Sequence, residues 1–176
     1  AFPTTPCDQR GHSDARYRMG LIWQHRLDPS DRDRARALPL YRQAAAIDDF
    51  ESDFVKADNY YQLGQILFSK GAAHHVEAIA ALEQALALRP NHSWANLVMG
   101  RAIYRSQSDF ARARDYMLRA IDNDATDNWR PYFYLGEVLE TEGFTDEAID
   151  YYRQVLALSP GNADALQRMK ALGVAP

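Results

Sequence analysis

Small and apolar residues recur along this chain in a helical rhythm that restarts at a fixed interval. The pairs Leu63-Gly64, Met99-Gly100 and Leu135-Gly136 stand 36 residues apart. Each sits in the same frame: Tyr60-x2-Leu63-Gly64-x2-Leu67, Asn96-x2-Met99-Gly100-x2-Ile103 and Tyr132-x2-Leu135-Gly136-x2-Leu139. Positions three, four and seven apart share one side of a helix, so each frame predicts a helix with an apolar stripe. A second stripe follows in every period, as Ala78-x3-Leu82-x2-Ala85, Ala113-x3-Met117-x2-Ala120 and Ala148-x3-Tyr152-x2-Val155. Its small residues suit the close approach of two helices, so each period predicts a helical hairpin. A period of this length predicts an all-α solenoid of such hairpins.

Two periods close on Leu-x-Pro, at Leu88-Arg89-Pro90 and Leu158-Ser159-Pro160. Proline cannot continue a helix, so it marks the turn into the next unit. This order of small, aromatic and Pro positions resembles the tetratricopeptide repeat, W-x2-L-G-x2-Y, then A-x3-F, then P. Residues 129–162 match its 34-residue length without a gap, through Tyr132, Leu135, Gly136, Gly143, Ala148, Tyr152 and Pro160. Residues 57–92 carry two extra residues near Gly71 to His75. Residues 93–128 carry one extra near Ser106 to Ser108 and lack the closing Pro. A degenerate unit is read over residues 13–51, with Arg16-x2-Met19-Gly20-x2-Trp23 and Ala37-x3-Tyr41-x2-Ala44 as its helices. Its linker, His25 to Asp33, is about five residues long by excess, and Pro39 either kinks the second helix or sits in its first turn. Residues 163–173 form a lone amphipathic helix of the kind that caps a solenoid, and residues 1–12 are a tail. The domain thus spans residues 13–176.

The resemblance implies a right-handed superhelix with first helices lining its concave face. It places a partner-binding surface on Tyr61, Gln62, Gln65 and Phe68, then Trp94, Leu97, Val98, Arg101, Tyr104 and Arg105, then Arg130, Phe133, Tyr134, Glu137 and Glu140. The degenerate unit adds Tyr17, Arg18 and Leu21, and the cap adds Gln167 and Arg168. Aromatics and Arg are the residue types that dominate interface energetics. Arg101 and Arg105, one turn apart and near Arg130, suit a carboxylate; equally, they suit pairing with Asp109, Glu137 or Glu140. Aromatics on first helices also serve as core between hairpins. A chaperone-type carboxylate clamp is not expected, since its positions here hold Tyr61, Gln65 and Val98, with Arg130 the one cationic match.

Composition changes this picture little. Of 176 residues, 47% are hydrophobic, enough for a core, and no run approaches the roughly 20 apolar residues of a membrane span, so a soluble domain without direct membrane insertion is expected. Residues 1–46 hold eight Arg and five Asp, whereas the rest is acidic and the whole carries −4. That balance argues against a nucleic-acid partner. Seventeen Arg against three Lys is read as a bacterial, GC-rich origin. Cys7, the single cysteine, lies in the polar tail. The start at Ala1 without Met, lacking an apolar run of signal-peptide type, fits a trimmed or processed larger protein.

No catalytic, metal or cofactor chemistry is expected. His12, His25, His74, His75 and His92 are not spaced as a ligand set, and His74-His75 reads as a solvated turn. There is no G-x-S-x-G, phosphate loop or H-E-x-x-H. The acids at Asp48, Asp49, Glu51, Asp53, Asp122, Asp124 and Asp127 fall at hairpin junctions, as loop charges and helix caps. The expected function is a non-enzymatic scaffold that binds a protein or peptide segment in the concave groove. The alternatives are a self-assembling scaffold, or the accessory domain of a larger membrane-associated bacterial protein, for example one of envelope polysaccharide assembly.

Overall fold

The computed structural model describes residues 12–25, 31–107, 109–124 and 128–174; the tail with Cys7, Ser108 and Asp127 lie outside them. Among the described residues every regular element is a helix. The chain divides at Pro90 into two compact units.

Unit 1 holds α1 (His12–Gln24), α2 (Asp31–Ile47), α3 (Asp53–Ser69) and α4 (His75–Leu88), with a 3-10 turn over Ala72–His74. α1 packs on α2, α2 on α3, and α3 on α4. Helix α2 begins at Asp31, inside the stretch read as linker, which makes Pro39 its ninth residue and excludes the first-turn placement. Proline there withholds one backbone N–H, a defect of about 3 kcal/mol in a helix interior. Ser52 caps α3, its hydroxyl accepting from the Val55 N–H at 3.3 Å. The core joins Leu38 and Tyr41 of α2 to Leu63, Ile66 and Leu67 of α3, with Ala78 and Ala81 of α4 closing it.

Unit 2 holds α5 (Ser93–Gln107), α6 (Phe110–Asp122), α7 (Arg130–Glu142), α8 (Thr145–Leu158) and α9 (Ala163–Ala171). Hairpins α5/α6 and α7/α8 pack through α6 on α7, and α9 covers α8. Asp109 caps α6 through the Arg112 N–H at 3.1 Å, and Asn162 caps α9 through the Ala165 N–H at 3.0 Å. Pro131 stands in the first turn of α7, where its missing N–H costs nothing. Gly143 ends that helix with φ 89°, a left-handed conformation that a β-carbon disfavours.

The recurrent glycines set the distance between the two helices of each hairpin. A β-carbon on Gly136 would stand 2.7 Å from the Tyr152 ring, and one on Gly20 would stand 2.6 Å from the Tyr41 ring. On Gly64 it would meet Leu82 at 2.6 Å, and on Gly100 the Ala113 carbonyl at 2.9 Å and Met117 at 3.0 Å. All four glycines therefore receive the large residue of the Ala-x3-large pattern on the opposite helix.

The α1 N-terminus is tied to the α2–α3 junction in a way the repeat pattern does not predict. Asp49 Oδ1 accepts the Ser13 N–H at 2.8 Å and Oδ2 accepts the His12 N–H at 3.3 Å, while the Ser13 hydroxyl donates to the Ala44 carbonyl at 2.9 Å. Hydrogen bonding from Ser13 holds the Asp49 carboxyl below its ordinary pKa against the opposing pull of desolvation, and the His12 N–H adds to this. A depressed carboxyl contributes stability above the unfolded pKa of about 3.9, lost as pH falls through the lower folded value. Asp49→Asn is therefore expected to destabilise the chain at neutral pH, with the gap to wild type closing below about pH 4. Urea titrations followed by circular dichroism at pH 7 and pH 3 check this; an equal gap at both refutes it.

His75 departs from the expected solvated turn. It is buried at the start of α4 and stacks on Phe68 at 5.0 Å, because the inserted residues wind as a 3-10 turn and bring the imidazole under α3. His74 stays on the turn, its Nδ1 4.0 Å from Glu77.

Candidate functional site

In unit 2, three helices enclose a groove of about 530 Å³. One wall is α5, contributing Arg101 and Arg105; the floor is α7, contributing Phe133, Tyr134 and Glu137. The other wall is α9, with Asp164, Gln167, Arg168 and Ala171. These wall residues are one helical face each: Arg101 and Arg105 are four apart, and the α9 set is spaced by three, four and seven.

The charged groups of α9 and α7 pair with each other. Arg168 crosses from α9 to bond Glu137 at 2.5 Å and Glu140 at 3.4 Å, and Glu140 also accepts the Tyr152 hydroxyl at 2.7 Å. Burial alone would lower the Arg168 pKa, but the Glu137 bond and the charges of Glu137 and Glu140 outweigh it and raise it. On the opposite wall, Arg101 stands over the Tyr134 ring at 4.0 Å, a cation–π contact. Burial lowers the Arg101 pKa, helped by repulsion from Arg105 and Arg130 and opposed by Tyr134 and Glu137. Arg105 is exposed, with its guanidinium 5.8 Å from the Tyr104 ring.

Other predicted residues lie elsewhere. Trp94, 37% exposed, and Arg130 sit at the N-terminal ends of α5 and α7, where the Arg130 guanidinium is 4.9 Å from the Trp129 ring and 5.9 Å from Trp94. At 1.5 Å rise per residue, Trp94 is about 16 Å along α5 from Arg105. Tyr104 is half-buried and its hydroxyl bonds Thr141 at 2.9 Å. Leu97 and Val98 are interior, at 2% and 3% exposure. Phe133 is almost covered, wedged among Trp129, Tyr134 and Tyr152, and shows only an edge to the groove.

Unit 1 presents its own residues separately. Tyr61 and Gln62 are buried and Phe68 is stacked on His75. Gln65 lines a smaller cavity of about 330 Å³ with Gln24, His25, Ile66 and Ser69. The Tyr41 hydroxyl donates to Gln24 at 2.8 Å, whose amide donates on to Gln62 at 2.7 Å and Gln65 at 3.2 Å. Tyr17 closes this chain with a hydrogen bond to Asp58. Burial, then the Asp58 bond and charge, push the Tyr17 phenol pKa up. Such a network rigidifies the α1–α3 face.

Sequence reasoning missed Asp164 and Ala171. The signal was present: they share one α9 face with Gln167 and Arg168. Of the acids expected near Arg101, Asp109 caps α6 through the Arg112 N–H, and Glu137 bonds Arg168 while its charge also acts on Arg101. Among the described residues no three His, Cys, Asp or Glu come together as a metal site, and no helix is long and apolar enough to cross a membrane.

The family model for the tetratricopeptide repeat matches residues 74–128 and 103–163, together just over half of the chain. No curated protein matches significantly. Among solved structures, MamA is similar with a TM-score of 0.72 and 21% identity, covering 93% of this chain and 84% of its own. YrrB, described as a repeat protein of this kind with an unusual peptide-binding site, is similar with a TM-score of 0.71 and 16% identity over 90% of this chain and 74% of its own. The second such domain of human RPAP3, solved with the HSP70 peptide SGPTIEEVD, has a TM-score of 0.63 and 18% identity over 70% of this chain and all of its own. At these identities the likeness is one of fold.

Proposed function

The chain belongs to the tetratricopeptide repeat family, and on that footing we propose that it is an interaction scaffold holding a segment of a partner protein in the α5/α7/α9 groove. One observation carries the reading: a groove of about 530 Å³ lined by three guanidinia, a phenol and a phenyl edge on three helices. That volume falls in the roughly 300–1,000 Å³ range of ligand sites. Aromatic and Arg side chains are the residue types enriched among interface hot spots. The peptide site of YrrB and the peptide bound to RPAP3 support a peptide as the kind of ligand. The groove is of a different make from a carboxylate clamp, whose positions here are Gln65 and the buried Tyr61 and Val98. No catalytic role is proposed.

Binders selected from a random peptide library against the full chain test this. Hydrogen exchange is expected to slow in α5, α7 and α9 when a selected peptide is added, with α1 and α2 unchanged. Protection confined to any other surface overturns the groove assignment.

A further inference from the structure

We propose that the segment this groove receives is acidic, with a side-chain carboxylate seated between Arg101 and Arg105. This rests on the groove reading above and adds the partner's chemistry to it. The two guanidinia lie one turn apart on α5, the spacing at which like charges on a helix repel. One of them is half-buried over Tyr134, where water screens less and a charge interacts more strongly. A carboxylate between them relieves the repulsion and receives charge-assisted hydrogen bonds from planar donors suited to it.

The rest of the groove fixes the direction of the preference. The carboxylates of α7 are already engaged: Glu137 and Glu140 are bonded by Arg168, and Glu140 takes the Tyr152 hydroxyl as well, while Asp164 lines the α9 wall. Arg130, farther along α7, adds a third cation that acts on Arg101. Two of the three guanidinia that line the groove thus stand on the α5 wall, in a chain whose net charge is −4. A nucleic-acid strand is the poorer match. Its phosphates would run past Glu137 and Asp164, and its affinity draws on many cations along a track.

The test reads the composition and the charge response of the library binders already placed in the groove by exchange footprinting. Groove-resident peptides are expected to be enriched in Asp and Glu. Arg105→Glu, an exposed change that leaves the circular-dichroism spectrum intact, is expected to weaken them by about 10- to 100-fold, the size of a lost charge-assisted contact. The same variant is expected to gain binding to Lys-rich peptides. Groove-resident peptides that are neutral or basic, or that ignore Arg105→Glu, overturn the acidic assignment and leave the groove reading standing. Binders that never protect α5, α7 and α9 overturn both. Tighter binding of a single-stranded RNA oligonucleotide than of any acidic peptide also overturns it.

Discussion

Tyr152→Ala is expected to lower the stability of unit 2 by about 3–5 kcal/mol, the range for truncating a fully buried aromatic. Tyr152 has no exposed surface, packs against Phe133 at 5.8 Å between ring centroids, and fills the hollow left by Gly136. Its hydroxyl is the smaller part, since Tyr152→Phe removes one bond to Glu140, worth roughly 1 kcal/mol, and leaves Glu140 with Arg168. Gly136 and the Tyr152 ring are coupled. Gly136→Ala alone forces a methyl to 2.7 Å from the ring, a steric cost of about 1–3 kcal/mol, against a gain of about 1 kcal/mol in helix propensity. In the Tyr152→Ala background the ring is gone, so only the gain remains and the same substitution is expected to stabilise. Urea unfolding of wild type, both single variants and the double variant measures the coupling. Additivity within about 0.3 kcal/mol refutes the glycine-and-ring account, because independent sites add and interlocked ones do not.

That interlock explains why the fold could be read from the sequence. The glycine leads its large partner by 16 residues at Gly136, 17 at Gly100, 18 at Gly64 and 21 at Gly20. The leads lengthen with the extra residues counted in each turn, while the contact itself persists. Surface turns absorb insertions at little cost, whereas a helix–helix contact of one β-carbon's depth tolerates none. Periodicity is thus a record of packing, and it says nothing of the parts that do not repeat. Asp49 reaches Ser13 across 36 residues, and His75 is covered by Phe68, both through particular side chains in irregular turns. The groove shows the same division. Arg101, Arg105, Phe133 and Glu137 are brought together as repeat register implies, since α5 and α7 are both first helices. Leu97 and Tyr61 share that register yet are interior, because the apolar stripe and the groove stripe of a helix overlap at their edge and local packing decides which side wins. The α9 wall belongs to no repeat, and only its own helical spacing reveals Asp164 and Ala171.

The second large effect falls on Arg101. Arg101→Glu is expected to abolish capture of acidic peptides, a loss beyond about 100-fold, because it removes one guanidinium and adds a carboxylate close to Glu137. Arg101→Lys separates charge from geometry. The ammonium keeps the positive charge but has neither the planar fork nor the flat contact with Tyr134 at 4.0 Å, so affinity at pH 7 is expected to fall about tenfold. The pH profile then distinguishes a binding role from a structural one. Desolvation and the neighbouring Arg105 and Arg130, which already lower the Arg101 pKa, act on an ammonium that starts near 10.4 and push it lower. The variant's site loses its proton as pH rises toward the ordinary lysine value of about 10.4, and its affinity for an acidic peptide is expected to fall with it. The guanidinium of the wild type stays protonated throughout that range, so its affinity is expected to stay level. Fluorescence anisotropy of one labelled acidic peptide against both proteins from pH 7 to pH 10 makes the comparison. Parallel curves would mean that the charge at this position never meets the ligand, and Arg101 would then be a packing residue whose loss acts only through Tyr134.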